Sequence, residues 1–329
     1  MINIIGGSGF IGTRLCKRLE ANQTPFTIID KAPSHTFPDH VQIADVRNLD
    51  QLRSAITDNA ILINLAAEHR DDVRPLSLYH DVNVGGAENL CQVAREKGVK
   101  TILFTSTVAV YGFAPIGTDE QGAINPFNDY GKSKYAAEEI FRAWQSEAPD
   151  ERTLLILRPT VIFGEQNRGN VYNLLRQIAS GRFVMVGPGS NRKSMGYVEN
   201  IAAFLEFATT ELAAGIHTYN FIDKPDFTMN RLVESVNRML GRSETIRWRL
   251  PYWLGFSIGK GFDAIAALSG KQFTISSIRV KKFCANSVYN TAIADTGFEP
   301  PVPLTQALEQ TIRHEFMEHH ADEPLYYSE

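Results

Sequence analysis

Four apolar-rich residues, Ile2–Ile5, run directly into Gly6-Gly7-Ser8-Gly9-Phe10-Ile11-Gly12. Gly6, Gly9 and Gly12 recur every third residue, between a strand-like run and a helix-period segment, Gly9–Glu20. Small residues let the backbone turn tightly after a strand and approach an anion closely. The helix that follows offers unpaired N–H groups and the positive end of its dipole. A glycine triplet alone also serves ordinary turns between strand and helix; here the strand before and the helix after give it meaning. The pattern predicts a dinucleotide pyrophosphate at Gly6, Gly9, Phe10, Ile11 and Gly12. Asp30 ends the next strand-like run, about 20 residues on, where a carboxylate can accept both ribose hydroxyls of an adenosine half. That favours NAD over NADP. Lys31 follows and would instead attract a 2′-phosphate, and a plain turn role for Asp30 is the simpler alternative.

The remaining pattern supports this start. Phe26–Ile29, Val41–Ala44, Ile61–Leu65, Thr101–Phe104 and Leu154–Leu157 read as strands. Helix candidates lie between them, near Leu49–Thr57, Val82–Lys97 and Tyr130–Trp144. Alternation of this kind predicts an α/β chain: a doubly wound, Rossmann-like parallel sheet with ligands at the strand C-termini. After Arg158 the pattern loosens into helices near Val171–Ser180, Val198–Thr209, Met229–Leu240 and Leu304–Phe316. We expect a dinucleotide-binding domain over residues 1–165. A smaller mixed substrate lobe is expected over 166–329, some of whose elements return to the first domain.

Tyr130-Gly131-Lys132-Ser133-Lys134 opens a predicted helix and sets Tyr130 and Lys134 at i and i+4 on one face. A phenol titrates near pH 10. A neighbouring ammonium would lower that value and make the tyrosine a usable acid/base. The spacing also occurs by chance at surface helix starts, so its weight comes from the company of the glycine turn. Upstream, Thr105, Ser106 and Thr107 end a strand, where hydroxyls point into the expected crevice; strand capping is the plain alternative. A catalytic set of Tyr130, Lys134 and Thr107 is the expectation.

Taken together, these residues resemble the extended short-chain dehydrogenase/reductase family, in its NAD-dependent sugar epimerase/dehydratase branch. The motifs run in order over essentially the whole chain: the glycine turn, Asp30, Asp45-Val46-Arg47, Asn64-Leu65-Ala66-Ala67, Asn83, Thr107, Tyr130 with Lys134, and Arg158-Pro159. The resemblance implies a tightly held, recycled NAD. Asp45 and Val46 would sit at the adenine and Leu65, Ala66 and Ala67 along the pyrophosphate and ribose. Asn83 and Thr105 would join the cofactor set, with Val161 near the nicotinamide. It implies 4-epimerisation through a 4-keto sugar and a homodimer built on the helices near Val82–Lys97 and Tyr130–Trp144.

Four longer stretches are similar to epimerases acting on undecaprenyl-diphosphate-linked N-acetylglucosamine: Ala66–Val73, Arg158–Glu165, Asn167–Leu175 and Ser277–Ala285. Where nucleotide-sugar epimerases carry Arg-Asp-Tyr-x-His-Val, this chain has Arg192-Lys193-Ser194-Met195-Gly196-Tyr197-Val198, keeping cations and losing the Asp and His. Val161 stands where that group has an asparagine. A nucleotide base needs polar partners, since unmet polar groups in a site are costly. A lipid diphosphate needs cations and an apolar exit. Asn170, Arg192, Lys193 and Arg279 are the expected contacts to a sugar diphosphate, lipid-linked or nucleotide-linked. A UDP-hexose 4-epimerase, an NAD(P)-dependent hydroxysteroid-type dehydrogenase and a non-catalytic dinucleotide-binding scaffold are the competing readings. A dehydratase would want an acid/base carboxylate pair after Thr107, where Val108 and Ala109 stand.

Charge enters through its distribution. The net charge of −4 speaks against a whole-protein nucleic-acid binder, yet Arg242–Lys282 alone sums to +6 and the rest to −10. Within that segment Leu254, Ile258, Phe262, Ile265 and Leu268 recur at helical spacing beside Trp248, Tyr252, Trp253 and Phe256. Basic flanks and an apolar face suit either peripheral contact of 248–282 with an anionic membrane or a plain core helix weakened by Gly255, Gly259 and Gly261. Arg279, Lys281 and Lys282 would line a diphosphate or anionic headgroups. The N-terminus lacks a signal-peptide pattern and no stretch reads as membrane-spanning. Cys16, Cys91 and Cys284 show no metal-ligand or paired spacing, so buried free thiols in a cytoplasmic protein are expected, peripheral at most on the inner membrane face. His314, His319 and His320 with Glu315 and Glu318 imitate a metal cluster; an acidic, frayed helix end is the expected reading, with no metal. His69, Arg70 and Arg74 read equally well as diphosphate contacts or as a solvated loop.

Overall fold

The computed structural model describes residues 1–70, 73–269, 276–320 and 322–327. Asp71, Asp72 and Lys271, which belong to stretches read above, lie outside the described residues, as does the side chain of Leu268. The first half runs β1 (Ile2–Ile5), α1 (Phe10–Ala21), β2 (Phe26–Asp30), β3 (Val41–Ile43), α2 (Leu49–Ala55), β4 (Ile61–Asn64), α3 (Ser77–Tyr79), α4 (Gly85–Glu96), β5 (Thr101–Thr105), α5 (Asp129–Ser146) and β6 (Thr153–Pro159). The second runs β7 (Val161–Phe163), α6 (Asn170–Ala179), β8 (Met185–Val186), β9 (Arg192–Tyr197), α7 (Val198–Glu211), β10 (Gly215–Phe221), β11 (Asp223–Thr228), α8 (Met229–Met239), β12 (Arg249–Leu250), α9 (Tyr252–Ser269), α10 (Ser277–Cys284) and α11 (Leu304–Phe316).

Seven strands form one parallel sheet in the order β10-β6-β5-β4-β1-β2-β3. Chain direction across the sheet reverses between β1 and β4, and the crevice at such a switch point is where ligands bind. Residues of alternate parity enter opposite cores, because side chains alternate along a strand. Ile5, Ile29, Leu62, Ile102, Phe104 and Ile156 pack with Leu52, Leu90, Phe141 and Trp144 of α2, α4 and α5. Ile4, Ile28, Ile63, Leu103 and Leu155 pack on the other face with Leu15 and Leu19 of α1 and Phe204 and Leu205 of α7. Both faces are covered, which is why these strands read as nearly continuous apolar runs. The elements α7 and β10 come from beyond Arg158 and complete the sheet layers begun before it.

A smaller three-stranded sheet, β11-β9-β7, pairs β7 with β9 in parallel and β11 with β9 antiparallel. Its core gathers Leu175 and Ile178 of α6, Leu232 and Val236 of α8 and Leu308 and Ile312 of α11. β12 pairs with β8 at the foot of α9. The α9 helix meets α10 closely: a Cβ on Gly259 would stand 2.7 Å from the Ser277 nitrogen. Asp263 of α9 accepts hydrogen bonds from the Ser277 hydroxyl and backbone N–H. On α9, Trp253, Ile258 and Ile265 are exposed and Leu254 and Phe262 half-buried, so its apolar spacing is not that of a core helix. Among the described residues no helix is long and apolar enough to cross a membrane. Cys16 and Cys91 are buried free thiols, which burial pushes up to about 12; Cys284 is free but only half-buried.

Two local details differ from expectation. Strand β3 runs Val41–Ile43, and the Ala44 N–H adds one further rung to its parallel ladder by bonding the Asp30 carbonyl. The helix expected from Val82 begins instead with a wide turn, His80–Val84, ahead of α4. That turn carries the Asn83 side chain inward to Glu68 and Ser133.

Candidate active site

A cavity of about 890 Å³ opens at the switch point. Its lining includes Gly6, Gly9, Phe10, Ile11 and Gly12 of the turn, with Asp30, Lys31, Asp45, Val46, Leu65, Ala66, Ala67, Thr105, Thr107, Tyr130, Lys134 and Val161. The expected cofactor set therefore converges on one space, apart from Asn83. Asn83 is buried and does not line the cavity. It donates to the Ser133 hydroxyl at 2.9 Å and both donates to and accepts from the Glu68 backbone, so it ties α5 to the chain after β4.

The turn is built for a close anion. A Cβ on Gly12 would lie 2.5 Å from Gly7 Cα, backbone against backbone, so only glycine fits. Gly9 is different: a Cβ there would meet only the Gly6 carbonyl, at 3.4 Å, and would otherwise fill the cradle. Gly9 caps α1 with no side-chain hydrogen bond, and the first turn carries no acidic residue. The N-terminal N–H groups and the dipole are thus left to a ligand. Asp30 fixes the turn to β2. Its Oδ2 accepts from the Ser8 N–H at 3.0 Å and its Oδ1 from the Ala32 N–H at 3.0 Å, leaving lone pairs on both oxygens for hydroxyl donors. The turn reading and the ribose reading of Asp30 are compatible. Arg47 clamps the Asp45 carboxylate and holds it below the usual carboxylate range. The Thr105 hydroxyl is buried without a protein partner, which suits a polar group inside the cavity. Donors, cradle and carboxylate together fit a dinucleotide.

Tyr130 and Lys134 share a face of α5, as the spacing requires. Helix α5 starts at Asn128, whose side chain accepts from the Gly131 N–H at 2.9 Å. Gly131 lets that start press on the turn after β5: a Cβ would lie 2.7 Å from the Ala109 carbonyl. The close approach brings the Tyr130 phenol within interaction range of the Thr107 hydroxyl. Thr107 Oγ1 also accepts from the Ala109 N–H at 3.1 Å, so its own proton is free to be donated to the Tyr130 oxygen. Burial of the phenol pushes Tyr130 up to about 12, against which the Thr107 hydroxyl works, while the nearby Tyr79 phenol adds to the rise. The lowering expected from Lys134 is corrected by the structure. The Lys134 amine is fully buried, 4.3 Å from the centre of the Phe104 ring, and desolvation brings it down to about 7, with Glu138 pulling the other way.

Beneath this pair lies a buried network. The Glu138 carboxylate, one turn after Lys134, receives both the Arg158 guanidinium and the Ser106 hydroxyl. Arg158 also donates to Tyr111 Oη at 2.8 Å, which donates in turn to Asn220 at 2.8 Å. Ends of β5, β6 and β10 are thereby locked to α5.

The expected substrate contacts divide. Asn170 and Lys193 line the cavity; Arg192 and Arg279 do not. The Arg192 side chain is exposed on a strand whose alternation turns Lys193 inward. In α10, Lys282 lines the cavity in place of Arg279. Lys193 Nζ donates to the Lys282 carbonyl at 2.8 Å, and burial brings its ammonium down to about 8. Phe113, Phe127, Asn167, Asn286, Ser287 and Tyr289 also line the cavity. Asn167 heads one of the four stretches noted in the sequence; the others sit on loops without a motif, and no local signal marks them. His69 lines it as well.

The C-terminal histidines are not a solvated frayed end. Helix α11 stops at Phe316, and beyond it His320 stacks on His314 with centroids 3.8 Å apart; Glu323 bonds His314 at 2.8 Å. Ligand-capable atoms of His314, His320 and Glu323 lie within 4.8 Å of one another. The rings are near-parallel, at 9°. His319 is exposed.

Comparison with known proteins agrees with this geometry. A bacterial N-acetyl-α-D-glucosaminyl-diphospho-ditrans,octacis-undecaprenol 4-epimerase, from Escherichia coli O157:H7, is 48% identical over 99% of this chain and 98% of its own length. The UDP-glucose 4-epimerase of Vibrio cholerae is 26% identical over 94% of each. Among solved structures, UDP-glucuronic acid 4-epimerase from Bacillus cereus in complex with NAD superposes with a TM-score of 0.70, covering 95% of this chain and 97% of that one at 17% identity. The sequence pattern of the NAD-dependent epimerase/dehydratase family matches residues 2–221, which span the glycine turn, Thr107, Tyr130, Lys134 and the strand that completes the sheet. With that match and the near-full-length relative, the chain belongs to the NAD-dependent epimerase/dehydratase family.

Proposed function

We propose that this chain is a 4-epimerase of an undecaprenyl-diphosphate-linked N-acetylhexosamine, interconverting the GlcNAc and GalNAc forms through a 4-keto sugar. One observation carries the reading. A single cavity is lined by Tyr130 with Thr107 beside it, by the uncapped N-terminus of α1, and, on the substrate side, by Lys193 and Lys282. The relative at 48% identity is named for the same reaction. The N–H groups after Gly9 would hold the dinucleotide pyrophosphate, Asp30 the adenosine ribose, and Asp45 and Val46 the adenine. NAD bound there supplies reversible hydride chemistry at the sugar carbon. Tyr130, as phenolate, accepts the proton of the sugar 4-hydroxyl as that carbon is oxidised, and Thr107 steadies the oxygen on both sides of the transfer. After the sugar has turned to present its other face, Tyr130 returns the proton to O4. Lys134, one turn further along α5 and lining the same cavity, would hold ribose hydroxyls of the dinucleotide. Lys193 and Lys282 receive the diphosphate.

Incubation with polyprenyl-diphosphate-GlcNAc, beside UDP-GlcNAc and UDP-glucose, followed by acid release and analysis of the sugar, tests this. GalNAc formed from the lipid-linked sugar, with no net change in absorbance from reduced cofactor, is expected. Turnover of UDP-sugars alone would establish a nucleotide-sugar epimerase, and stoichiometric NADH would establish a dehydrogenase.

We further infer peripheral contact with the inner face of the membrane through 248–282. Exposed Trp248, Trp253, Ile258 and Ile265 stand beside Arg247, Arg249 and Lys260, the composition of an interfacial helix. Co-sedimentation with anionic vesicles at low salt, reversed at high salt, is expected; no sedimentation at low salt ends the idea. A homodimer on α4 and α5, which pack side by side, is read by sedimentation velocity, where a monomer at micromolar concentration overturns it.

A further inference from the structure

The loop between β5 and α5 carries two aromatic rings that do not behave as core. Phe113 is 64% exposed and Phe127 is 48% exposed, yet both line the catalytic cavity. They stack on each other with centroids 4.8 Å apart at 24°. Lys281 Nζ stands 5.9 Å from the Phe113 ring centre and Lys282 Nζ 5.5 Å from that of Phe127, both within cation–π range. On α10, Ile278, Lys281 and Lys282 fall at i, i+3 and i+4 and so share one face, and Ile278 is 48% exposed. An apolar path therefore continues from the cavity past the stacked rings and along α10. Cations flank this path, and Lys282 borders both the path and the cavity.

Such a surface has a defined chemistry. Exposed rings at a cavity mouth leave apolar area in water that a ligand can cover, and the lysines beside them suit an anion. A nucleoside diphosphate would bring a polar base and ribose to that path. An isoprenoid diphosphate brings an anion followed by hydrocarbon, in the order the residues occur. We propose that the Phe113–Phe127 pair, framed by Lys281 and Lys282, is the exit groove for the isoprenoid carrier: Lys193 and Lys282 take the diphosphate and the two rings take the first isoprene units. This inference rests on the epimerase reading given above and adds the residues that select the carrier.

The test compares GlcNAc diphosphate carrying an undecaprenyl tail with GlcNAc diphosphate carrying only an ethyl group. The enzymes are the wild-type chain and Phe113→Ala/Phe127→Ala. The ratio of kcat/KM for long over short tail is expected to fall about tenfold or more in the variant, through KM for the long-tailed substrate. An unchanged ratio, or equal losses on both substrates, overturns the groove. Phe127→Asp alone, which places a carboxylate in the path, is expected to shift the ratio the same way and covers poor folding of the double variant. A wild-type enzyme that treats both tails alike overturns the groove and leaves the epimerase reading standing. A wild-type enzyme inactive on every prenyl-linked sugar but active on UDP-sugars overturns both.

Discussion

The Arg158 guanidinium grips both oxygens of Glu138, Nη2 to Oε2 at 2.6 Å and Nε to Oε1 at 2.9 Å, with both side chains buried. Glu138 stands one turn from Lys134 and two from Tyr130, so this pair sets the rotation of the catalytic helix against β6. Removing one partner of a buried pair leaves a charge stranded, at about 3–5 kcal/mol. Glu138→Ala is expected to lose stability on that scale in urea unfolding. Glu138→Leu combined with Arg158→Met is expected to cost less than the two single losses added together. Additive losses would show that the pair is not coupled.

Two glycines of the turn separate fold from ligand. Gly12→Ala forces a Cβ against Gly7 backbone at 2.5 Å and is expected to lower the melting temperature markedly. Gly9→Ala meets no backbone closer than 3.4 Å, so it folds near normally but fills the cradle. Calorimetric titration with NAD is expected to show at least tenfold weaker binding for Gly9→Ala. Unchanged affinity would remove the pyrophosphate from that turn.

The sheet, the glycine turn and the Tyr130–Lys134 spacing were legible because each is written in a few adjacent residues. Alternation of strands and helices likewise announced a parallel sheet. What stayed illegible depends on distant partners. Nothing near Gly215–Phe221 says that it will become the seventh strand beside β6. Arg192 and Lys193 are neighbours of like charge, and only the register of β9 against β7 and β11 decides which one faces the cavity. Asn83 carries a family position but spends its amide on Ser133 and Glu68. The sign of the shift at Tyr130 is set by burial around it, which spacing does not encode. Phe113 and Phe127 lie in an irregular loop where no periodicity marks their stacking.

Lys134 links site and stability. Its buried amine titrates near 7 in the folded chain against an ordinary 10.5. Between those values the unfolded chain binds the extra proton, so stability rises with pH from about 7 upward, and below 7 the full penalty of burying the charge remains. Unfolding in urea at pH 7 and pH 9 is expected to show a gain that Lys134→Met reduces. Lys193 contributes a smaller rise of the same sign starting near 8.

Lys193 also predicts how binding responds to pH. Without an anion its half-buried ammonium loses its proton near 8. A diphosphate attracts the protonated form, so KM is expected to climb as pH rises past 8, separately from the pH dependence of kcat that Tyr130 sets. Lys193→Met is expected to raise KM about tenfold and to flatten that climb. A wild-type KM that is level from pH 7 to 9 would take Lys193 out of the diphosphate site.

Tyr130 and Thr107 give the sharpest reading of the chemistry. Tyr130→Phe removes the proton acceptor and is expected to cost about 10²–10⁴ in kcat, with NAD affinity retained. Thr107→Val keeps the shape and removes the donor to the phenolate. The Thr107 hydroxyl works to lower the pKa of Tyr130, so its loss raises that pKa and moves the base-dependent limb of the pH–rate profile to higher pH. With Tyr130 near 12 the working range lies below the pKa of both enzymes, so the variant is expected to run below the wild type by a constant factor across it. Thr107→Ser retains the donor and is expected to leave the limb in place. Full activity in Thr107→Val, or a loss that Thr107→Ser does not restore, would take the Thr107 hydroxyl out of the chemistry.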